Sequence, residues 1–310
     1  MNLQQLEYII AVENHRHFAK AAEACFVTQP TLSTMIQKLE DELEVRLFDR
    51  SKQPVVPTPI GECMIAQARR ILAEAEKLKQ MAMEEKGVIA GTLRLGIIPT
   101  LAPYLLPLFL KSFTTKYPGV TLKLTEMVTD QIVDELKRGK IDAGLLVTPL
   151  YDNSLKERPL FYEEFYAYVG KDEQIFSKEY ILPGDINPNR LWLLEEGHCF
   201  RSQILKLCEL KKESSTSNFE YEAGSIETLI RLVEQSQGVT VIPELAIDGL
   251  TFNQQQYVRP FVAPAPVREV SIVTHREQVK KRLIDSLTNE IVATIPQHIL
   301  KKKSDNVVDI

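Results

Sequence analysis

Two cysteines, Cys199 and Cys208, form the pattern with the clearest chemical potential in this sequence. Cys199 follows His198, and Arg201 comes two residues after it. The thiolate is the reactive form of cysteine, and nearby positive charge favours it. An oxidised Cys199 sulfur could condense with the second thiol to form a disulfide. These residue types suggest a redox site, and two ordinary buried thiols are the alternative that the residues alone leave open.

The segment that joins the two cysteines has the apolar spacing of a helix, with Ile204, Leu205 and Leu207 ahead of Cys208. In one helix, nine steps of ~1.5 Å would separate the two Cα atoms by about 14 Å, whereas a disulfide tolerates roughly 7 Å at most. A disulfide between Cys199 and Cys208 would therefore require this helix to unfold, and the bond would act as a conformational switch.

The bulk properties fit an intracellular, multidomain protein. The chain has 310 residues, four cysteines and a formal net charge of −5, which gives no hint of nucleic acid. So few cysteines indicate a reducing compartment, and the N-terminus has no secretion signal. The apolar run Leu101–Leu110 is too short for a membrane span. We expect a cytoplasmic protein without metal or cofactor, ending in a frayed polar tail at 301–310.

The first sixty residues have the helical period three times, and a tight turn precedes the third helix. Thr28 can cap that helix, and Pro30 suits its first turn. Two short extended runs around a polar turn, near 45–50 and 55–58, could form a wing. The pattern predicts a winged helix-turn-helix. A plain three-helix bundle is the alternative, because acidic residues outnumber basic ones in this stretch.

A long helix is predicted over 59–86. Its apolar and small residues are spaced by three or four positions, as in a coiled coil: Ile60, Met64, Ala68, Ile71, Ala75, Leu78 and Ala82. This seam favours pairing with a second copy of the chain, and the alternative is an amphipathic helix that lies on its own domain. We expect Cys25 and Cys63 to be buried structural thiols, and residues 87–91 to form a hinge.

Strand-like and helical patterns alternate over 92–300, which indicates an α/β region with largely parallel sheets that divides into two parts. Predicted strands are Leu93–Ile98, Val120–Thr125, Ile141–Val147, Phe165–Val169, Leu191–Leu194, Val239–Ile242 and Val270–Thr274, and predicted helices besides the cysteine segment are Ala102–Lys116, Gln131–Arg138, Ile226–Glu234 and Val279–Ala293. Ligands of such sheets bind beyond the carboxyl ends of strands. Thr100, Thr129 and His198-Cys199 follow three predicted strands, although both threonines could simply cap helices.

The N-terminal sixty residues resemble the LysR-type transcriptional regulators. The motifs that carry this resemblance are Phe18-Ala19-Lys20-Ala21-Ala22, Thr28-Gln29-Pro30-Thr31-Leu32-Ser33, Ile36-Gln37-Lys38-Leu39-Glu40, Leu47-Phe48-Asp49-Arg50 and Pro57-Thr58-Pro59-Ile60-Gly61. The resemblance implies a winged helix-turn-helix DNA-binding domain over 1–58, with a linker helix over 59–86. The DNA-facing residues that it implies are Gln29, Pro30, Thr31, Ser33, Thr34, Gln37, Lys38 and, from the wing, Arg50. Glutamine and threonine can reach base edges, and lysine and arginine can neutralise phosphates.

The C-terminal part is similar to LysR-type effector domains, and the segment around Cys199 resembles the hydrogen-peroxide-sensing members of that family. The matching motifs are Gly91-Thr92-Leu93-Arg94-Leu95-Gly96, Asp142-Ala143-Gly144-Leu145, Glu196-Gly197-His198-Cys199-Phe200-Arg201, Ser225-Ile226-Glu227-Thr228-Leu229, Gly238-Val239-Thr240-Val241-Ile242-Pro243 and Pro266-Val267-Arg268. The resemblance implies an α+β multidomain protein with a two-lobed, periplasmic-binding-protein-like regulatory domain over 92–300. Lobe I would comprise about 92–161 and 268–300, and lobe II about 162–267.

The same resemblance implies particular roles around the thiol. Cys199 would be the peroxidatic cysteine and Cys208 the resolving one. The peroxide pocket would be formed by Thr100, Thr129, His198, Arg201 and Arg268. Ser202 departs from the family pattern, which has an acidic residue there.

The function that this resemblance implies is a DNA-binding transcriptional regulator of oxidative-stress genes, and we do not expect an enzyme. Implied partners are palindromic double-stranded DNA, further copies of the chain in a homodimer or homotetramer, RNA polymerase, hydrogen peroxide as signal, and a glutaredoxin- or thioredoxin-type reductant that resets the disulfide. The alternative is a regulator whose lobes bind a small-molecule effector reversibly while the cysteines stay inert. A thiol peroxidase is disfavoured by the helix-turn-helix pattern.

Overall fold

The computed structural model describes residues 1–85, 89–208, 223–278, 280–302 and 306–309. Residues 209–222, which follow Cys208, and residues 87 and 88 of the predicted hinge lie outside these ranges. The chain divides into two compact units, one built mainly on Met1–Val88 and the other on Ile89–Ile310. Each unit has its own hydrophobic core.

The first unit is a helix-turn-helix with a small wing and a long helix. Its elements are α1 (Leu3–His15), α2 (Phe18–Ala24), α3 (Gln29–Leu43), β1 (Phe48–Asp49), β2 (Val56–Pro57) and α4 (Pro59–Glu85). As predicted, Thr28 caps α3, since its side chain accepts the Thr31 N–H. The two strands pair antiparallel, which confirms the predicted wing. Leu32, Ile36 and Leu39 on α3 are fully buried, so its other face is left for solvent or a partner.

The two cysteines of the first unit are not buried as predicted. Cys63 is exposed and Cys25 only half-buried. Cys63 is exposed because it lies on a different side of α4 from Ile65 and Ala68, which pack into the core. On the predicted seam of α4, Leu78 is 70% exposed in the single chain.

The second unit alternates strands and helices. Its strands are β3 (Gly91–Ile97), β4 (Val120–Glu126), β5 (Ala143–Thr148), β6 (Leu155–Val169), β7 (Val239–Pro243), β8 (Val258–Pro260) and β9 (Val267–His275). Its helices are α5 (Ala102–Lys116), α6 (Thr129–Lys137), α7 (Cys199–Leu207), α8 (Ile226–Ser236), α9 (Glu244–Ile247), α10 (Phe252–Gln255), α11 (Lys281–Thr294) and α12 (Gln297–Leu300), with 3-10 turns at Gln174–Ser177, Pro183–Asp185 and Pro188–Arg190. Most of the predicted strands and helices are confirmed with boundaries shifted by a few residues, but β6 begins ten residues before the predicted strand Phe165–Val169.

The sheet is not largely parallel, and that prediction was wrong. The strand order is β4-β3-β5-β9-β6-β7, with β8 also paired to β6. Only the pairs of β3 with β4 and β5 are parallel, and every other pair among the named strands of this sheet is antiparallel. Residues Leu191–Leu194 do not form the predicted strand. Leu191 and Leu194 instead make isolated bridges, to Val239 and Ala223 respectively.

Two hydrophobic clusters lie along β6, one at each end of the strand. The first gathers Leu155 and Phe161 with the helices α5 and α11, and the second gathers Phe165 and Val169 with α7 and α8. Cys199 belongs to the first cluster and Cys208 to the second. The two thiols are therefore packed into different cores.

The C-terminal tail is not frayed where it is described. Val267 at the start of β9 donates its N–H to Asn306 O (2.9 Å), and its carbonyl accepts the Val308 N–H (2.9 Å). Gln203 of α7 donates from Nε2 to Val308 O (2.6 Å). Apolar residues at 307 and 308 interrupt the polar stretch, and their backbone pairing with β9 explains the difference from the prediction. Within the described ranges, no helix is long and apolar enough to cross a membrane.

Candidate functional site

Helix α7 begins at Cys199 and ends one residue before Cys208, as the apolar spacing predicts. Gly197, at φ +94°, provides the left-handed turn that leads into the helix. Cys199 therefore lies at a helix N-terminus, where free backbone N–H groups favour negative charge. Both cysteines are free thiols. At ~1.5 Å per residue, their Cα atoms are about 14 Å apart along α7.

The Cys199 thiol is buried among groups that partly offset its burial. Burial raises the pKa of Cys199, while the Thr129 hydroxyl, the charge of Arg268 and the backbone N–H groups of Cys199 and Phe200 act to lower it. Burial has the larger effect, so the resting thiol holds its proton. The same polar groups are placed to stabilise negative charge on the sulfur when it reacts.

Thr129 places a buried hydroxyl group beside this thiol. Its side chain is buried at the first residue of α6. Thr129 Oγ1 has no nitrogen or oxygen hydrogen-bond partner among the described residues. Buried polar atoms are usually satisfied, so this hydroxyl has capacity for a small polar molecule.

Arg268 brings a full positive charge into the site from β9. Its side chain is completely buried. The guanidinium donates from Nε to Glu163 Oε1 (2.6 Å), from Nη1 to Thr100 Oγ1 (3.1 Å) and from Nη2 to Thr100 O (3.2 Å). Its Cζ also lies 5.1 Å from the centre of the Phe200 ring. Thr100 therefore joins the site through Arg268.

His198 and Arg201 hold the loop before α7. His198 Nε2 lies 3.5 Å from Glu195 Oε1. Arg201 donates from Nη1 to Leu194 O (2.7 Å), and its Nε is buried without a hydrogen-bond partner in the described part of the chain. The positive charge that acts on Cys199 thus comes from Arg268, about seventy residues away, and not from the cations beside it in sequence.

Cys208 is an unreactive thiol in this conformation. Burial raises the pKa of Cys208 to about 11. It closes α7 by donating its N–H to Ile204 O (3.0 Å). Because of this raised pKa, few Cys208 thiolates exist at neutral pH in this conformation.

Glu163 is a residue of this site that sequence reasoning missed. It accepts the Arg268 guanidinium and also the Leu245 N–H, through Oε2 at 3.2 Å. The available signal was the pair Glu163-Glu164 inside the apolar run from Phe161 to Val169. Charges in a strand core are rarely buried unless they are paired. Among the described residues, no group of three or more His, Cys, Asp or Glu could hold a metal ion.

The second candidate surface is the outer face of α3 with the wing. Of the residues predicted to face DNA, Gln29, Pro30, Thr31, Thr34, Lys38 and Arg50 are exposed, and Ser33 and Gln37 are half-buried. Arg50 packs its Cζ 5.0 Å from the Phe18 ring centre and donates from Nη2 to Glu40 Oε2 (3.0 Å). Seven of these eight residues lie on α3, and Arg50 is joined to them because its Nη1 donates to Ser33 Oγ (3.5 Å).

Glu40 fixes the wing to α3, and the sequence patterns did not indicate it. Its side chain is buried, and Oε1 accepts the N–H groups of Leu47 (2.7 Å) and Phe48 (3.4 Å). Arg46 donates to Glu40 Oε2 (3.4 Å) and to Gln37 Oε1 (3.0 Å). One buried carboxylate therefore holds Arg46 and Arg50, which flank β1, and the backbone where β1 begins.

Comparison with known proteins identifies the families to which the two parts of the chain are similar. The family described as "Bacterial regulatory helix-turn-helix protein, lysR family" matches residues 3–62, and the family described as "LysR substrate binding domain" matches residues 86–295. The chain is 33% identical over 301 residues to the DNA-binding transcriptional dual regulator OxyR of Escherichia coli K12, covering 97% of this chain and 98% of that protein. It is also 34% identical to the HTH-type transcriptional regulator EstR of Acinetobacter baylyi, covering 95% and 98%.

Among solved structures, a full-length OxyR variant from Pseudomonas aeruginosa superposes with a TM-score of 0.80 at 35% identity, covering 95% of this chain and 99% of that one. Sequence and structure thus agree over nearly the whole length. The chain belongs to the LysR family of DNA-binding transcriptional regulators, and it is similar to OxyR.

Proposed function

We propose that this regulator senses hydrogen peroxide by oxidation of Cys199, followed by a disulfide between Cys199 and Cys208. The observation that carries the proposal is the Thr129 hydroxyl, which is buried beside the Cys199 thiol and lacks a nitrogen or oxygen partner among the described residues. A peroxide oxygen is small enough and polar enough to be that partner. The similarity to OxyR, whose relatives are named hydrogen peroxide-inducible genes activators, supports the same assignment.

The first chemical step makes a sulfenic acid. The Cys199 thiol gives up its proton, and the thiolate attacks one peroxide oxygen. The O–O bond breaks, and the departing hydroxide takes up the proton and leaves as water. Thr129, Thr100 and Arg268 stabilise the negative charge that moves from sulfur to the departing oxygen. His198 and Arg201 fix the loop that presents the thiol.

The second step links the two cysteines. The Cys208 sulfur attacks the Cys199 sulfenic sulfur, the S–O bond breaks, and water leaves as the disulfide forms. Because α7 separates the thiols, it must unwind first, and Cys199 must leave the first core cluster. The Gln203–Val308 hydrogen bond lies on the same helix and breaks with it. A thiol reductant of the glutaredoxin or thioredoxin type returns two electrons and restores α7.

The output of the switch is a change in DNA binding. Gln29, Pro30, Thr31, Ser33, Thr34, Gln37 and Lys38 of α3 would contact the major groove, with Arg50 on the backbone. Pairing of α4 with a second copy would place two such surfaces on palindromic half-sites, and two dimers would form a tetramer. RNA polymerase would be the partner of the DNA-bound form, in the cytoplasm.

Trapping the sulfenic acid tests this chemistry. In Cys208→Ser, near-stoichiometric peroxide should give one dimedone adduct, at Cys199, because no second thiol resolves it. Adding Thr129→Val should slow adduct formation roughly tenfold, which corresponds to ~1.4 kcal/mol and to the loss of one charge-assisted hydrogen bond. Mass spectrometry of the peptides gives both results.

The matched control is Thr121→Val, which removes an exposed hydroxyl from β4 and should leave the rate unchanged. Adducts at Cys25 or Cys63 in place of Cys199 would contradict the proposal. The absence of any adduct would favour a regulator that binds a small-molecule effector reversibly.

A further inference from the structure

The most unusual feature near the thiol is a buried ion pair that the peroxide chemistry does not require. Glu163 on β6 and Arg268 on β9 are both 0% exposed, with Glu163 Oε1 2.5 Å from Arg268 Nη2. Two fully desolvated charges are costly unless their hydrogen bonds are complete. Here each guanidinium nitrogen and each carboxylate oxygen has a hydrogen-bond partner, and Thr100 and Leu245 supply the partners outside the pair.

Arg268 is the charge through which Glu163 reaches Cys199. Three further groups bear on the charge in this part of the second unit. Thr129 on α6 is neutral, and His198 is paired with Glu195. Tyr104 on α5 donates its hydroxyl to Glu227 Oε1 (3.0 Å). Arg268 is therefore the cation of the described residues that acts on the sulfur, and Glu163 is its counter-ion.

Arg268 and Glu163 have opposite effects on the pKa of Tyr104. Burial and Glu227 raise the pKa of Tyr104, while Arg268 acts to lower it and Glu163 acts to raise it. Glu163 thus cancels part of the positive field that Arg268 spreads across the site. Because the Glu163 carboxylate is bonded to the guanidinium that acts on Cys199, we expect the same cancellation at the thiol.

We propose that Glu163 is a positioning residue that restrains the reactivity of Cys199 through Arg268. Its carboxylate holds the guanidinium in place and offsets part of its positive charge, so the thiol keeps its proton until peroxide enters. The inference rests on the proposed function only in taking Cys199 as the reacting thiol. It predicts that removing the charge of Glu163 makes Cys199 more acidic, because the thiolate then becomes the counter-ion of Arg268.

The test is a titration of Cys199 without peroxide. In the full chain with Cys25, Cys63 and Cys208 replaced by serine, thiolate absorbance near 240 nm is followed against pH. The same protein with Cys199→Ser is subtracted to remove tyrosine absorbance. Adding Glu163→Gln should lower the midpoint by about one pH unit or more, because the amide still accepts from Arg268 but carries no charge.

A drop of one unit gives about ten times more thiolate at neutral pH. Since intrinsic nucleophilicity falls with thiol pKa, oxidation by peroxide should then quicken about threefold. The matched control is Glu164→Gln, which removes the same charge from the next residue of β6, where Glu164 pairs with Lys302. Its midpoint should equal that of the parent protein.

A midpoint in Glu163→Gln that is unchanged or higher would overturn the proposal, whatever peroxide does. If that variant does not fold, Glu163→Asp provides the test, since its shorter side chain withdraws the carboxylate while the charge remains. Its midpoint should fall by less than one unit, and an unchanged or higher midpoint would overturn the proposal. A failed peroxide response with the predicted midpoint shift would count against the proposed function and not against the role of Glu163.

Discussion

Replacing Cys199 with serine should abolish the peroxide response while the chain stays folded and bound to DNA. A serine hydroxyl keeps the size and the polar contacts of the thiol but has no nucleophilic thiolate to attack peroxide. Because α7 then has no disulfide to form, the protein remains in the reduced conformation at any peroxide concentration. Footprinting on an operator before and after peroxide should give identical patterns for Cys199→Ser and different ones for the unmodified protein.

Cys63→Ser is the control for general thiol damage, since Cys63 is exposed and lies on α4, far in sequence from the redox helix. The operator footprint of Cys63→Ser should change with peroxide as that of the unmodified protein does. A Cys199→Ser protein that still changes its footprint with peroxide would refute the redox assignment. The remaining hypothesis would then be a regulator that binds a small-molecule effector reversibly.

Replacing Glu40 with alanine should have the largest effect in the DNA-binding unit. The change leaves the Leu47 and Phe48 N–H groups without their acceptor and frees Arg50 from its anchor. Loss of a buried, multiply bonded carboxylate destabilises by about 3 kcal/mol or more. Hydrogen exchange in peptides that cover residues 44–50 should quicken by roughly two orders of magnitude, and operator affinity should fall with it.

Glu42→Ala is the matched control on the same helix. Glu42 is about half exposed, and its carboxylate pairs with the N-terminal amine. An exposed pair contributes ~0.2–1 kcal/mol, so exchange near the wing should stay unchanged. Equal exchange rates in the two variants would mean that Glu40 does not hold the wing.

Local patterns in the sequence were sufficient for most of the helices. The helix predicted at Ala102–Lys116 matches α5 residue for residue, and the segment between the cysteines folds as α7. Helical period, capping residues and proline positions act within a few residues of one another, so they can be read without knowing the fold. Thr129 and Cys199 each begin a helix, and Cys208 follows the last residue of α7, so local patterns mark all three positions.

Long-range pairing was not accessible to such patterns. Arg268 and Glu163 are 105 residues apart, and only the antiparallel pairing of β6 with β9 brings them together. Alternating strands and helices suggested a parallel sheet, because the antiparallel pairing of β6 with β9 leaves no local signature in the sequence. The described end of the tail was misjudged for the same reason, since its pairing with Val267 depends on where β9 begins.

Oxidation should join Cys199 and Cys208 in a disulfide that cannot form while α7 is intact. The most direct measurement is a non-reducing peptide map after brief, near-stoichiometric peroxide, with free thiols trapped by alkylation. The predicted result is a Cys199–Cys208 disulfide, with Cys25 and Cys63 alkylated. Four alkylated cysteines in a protein whose operator footprint has nevertheless changed would contradict the claim.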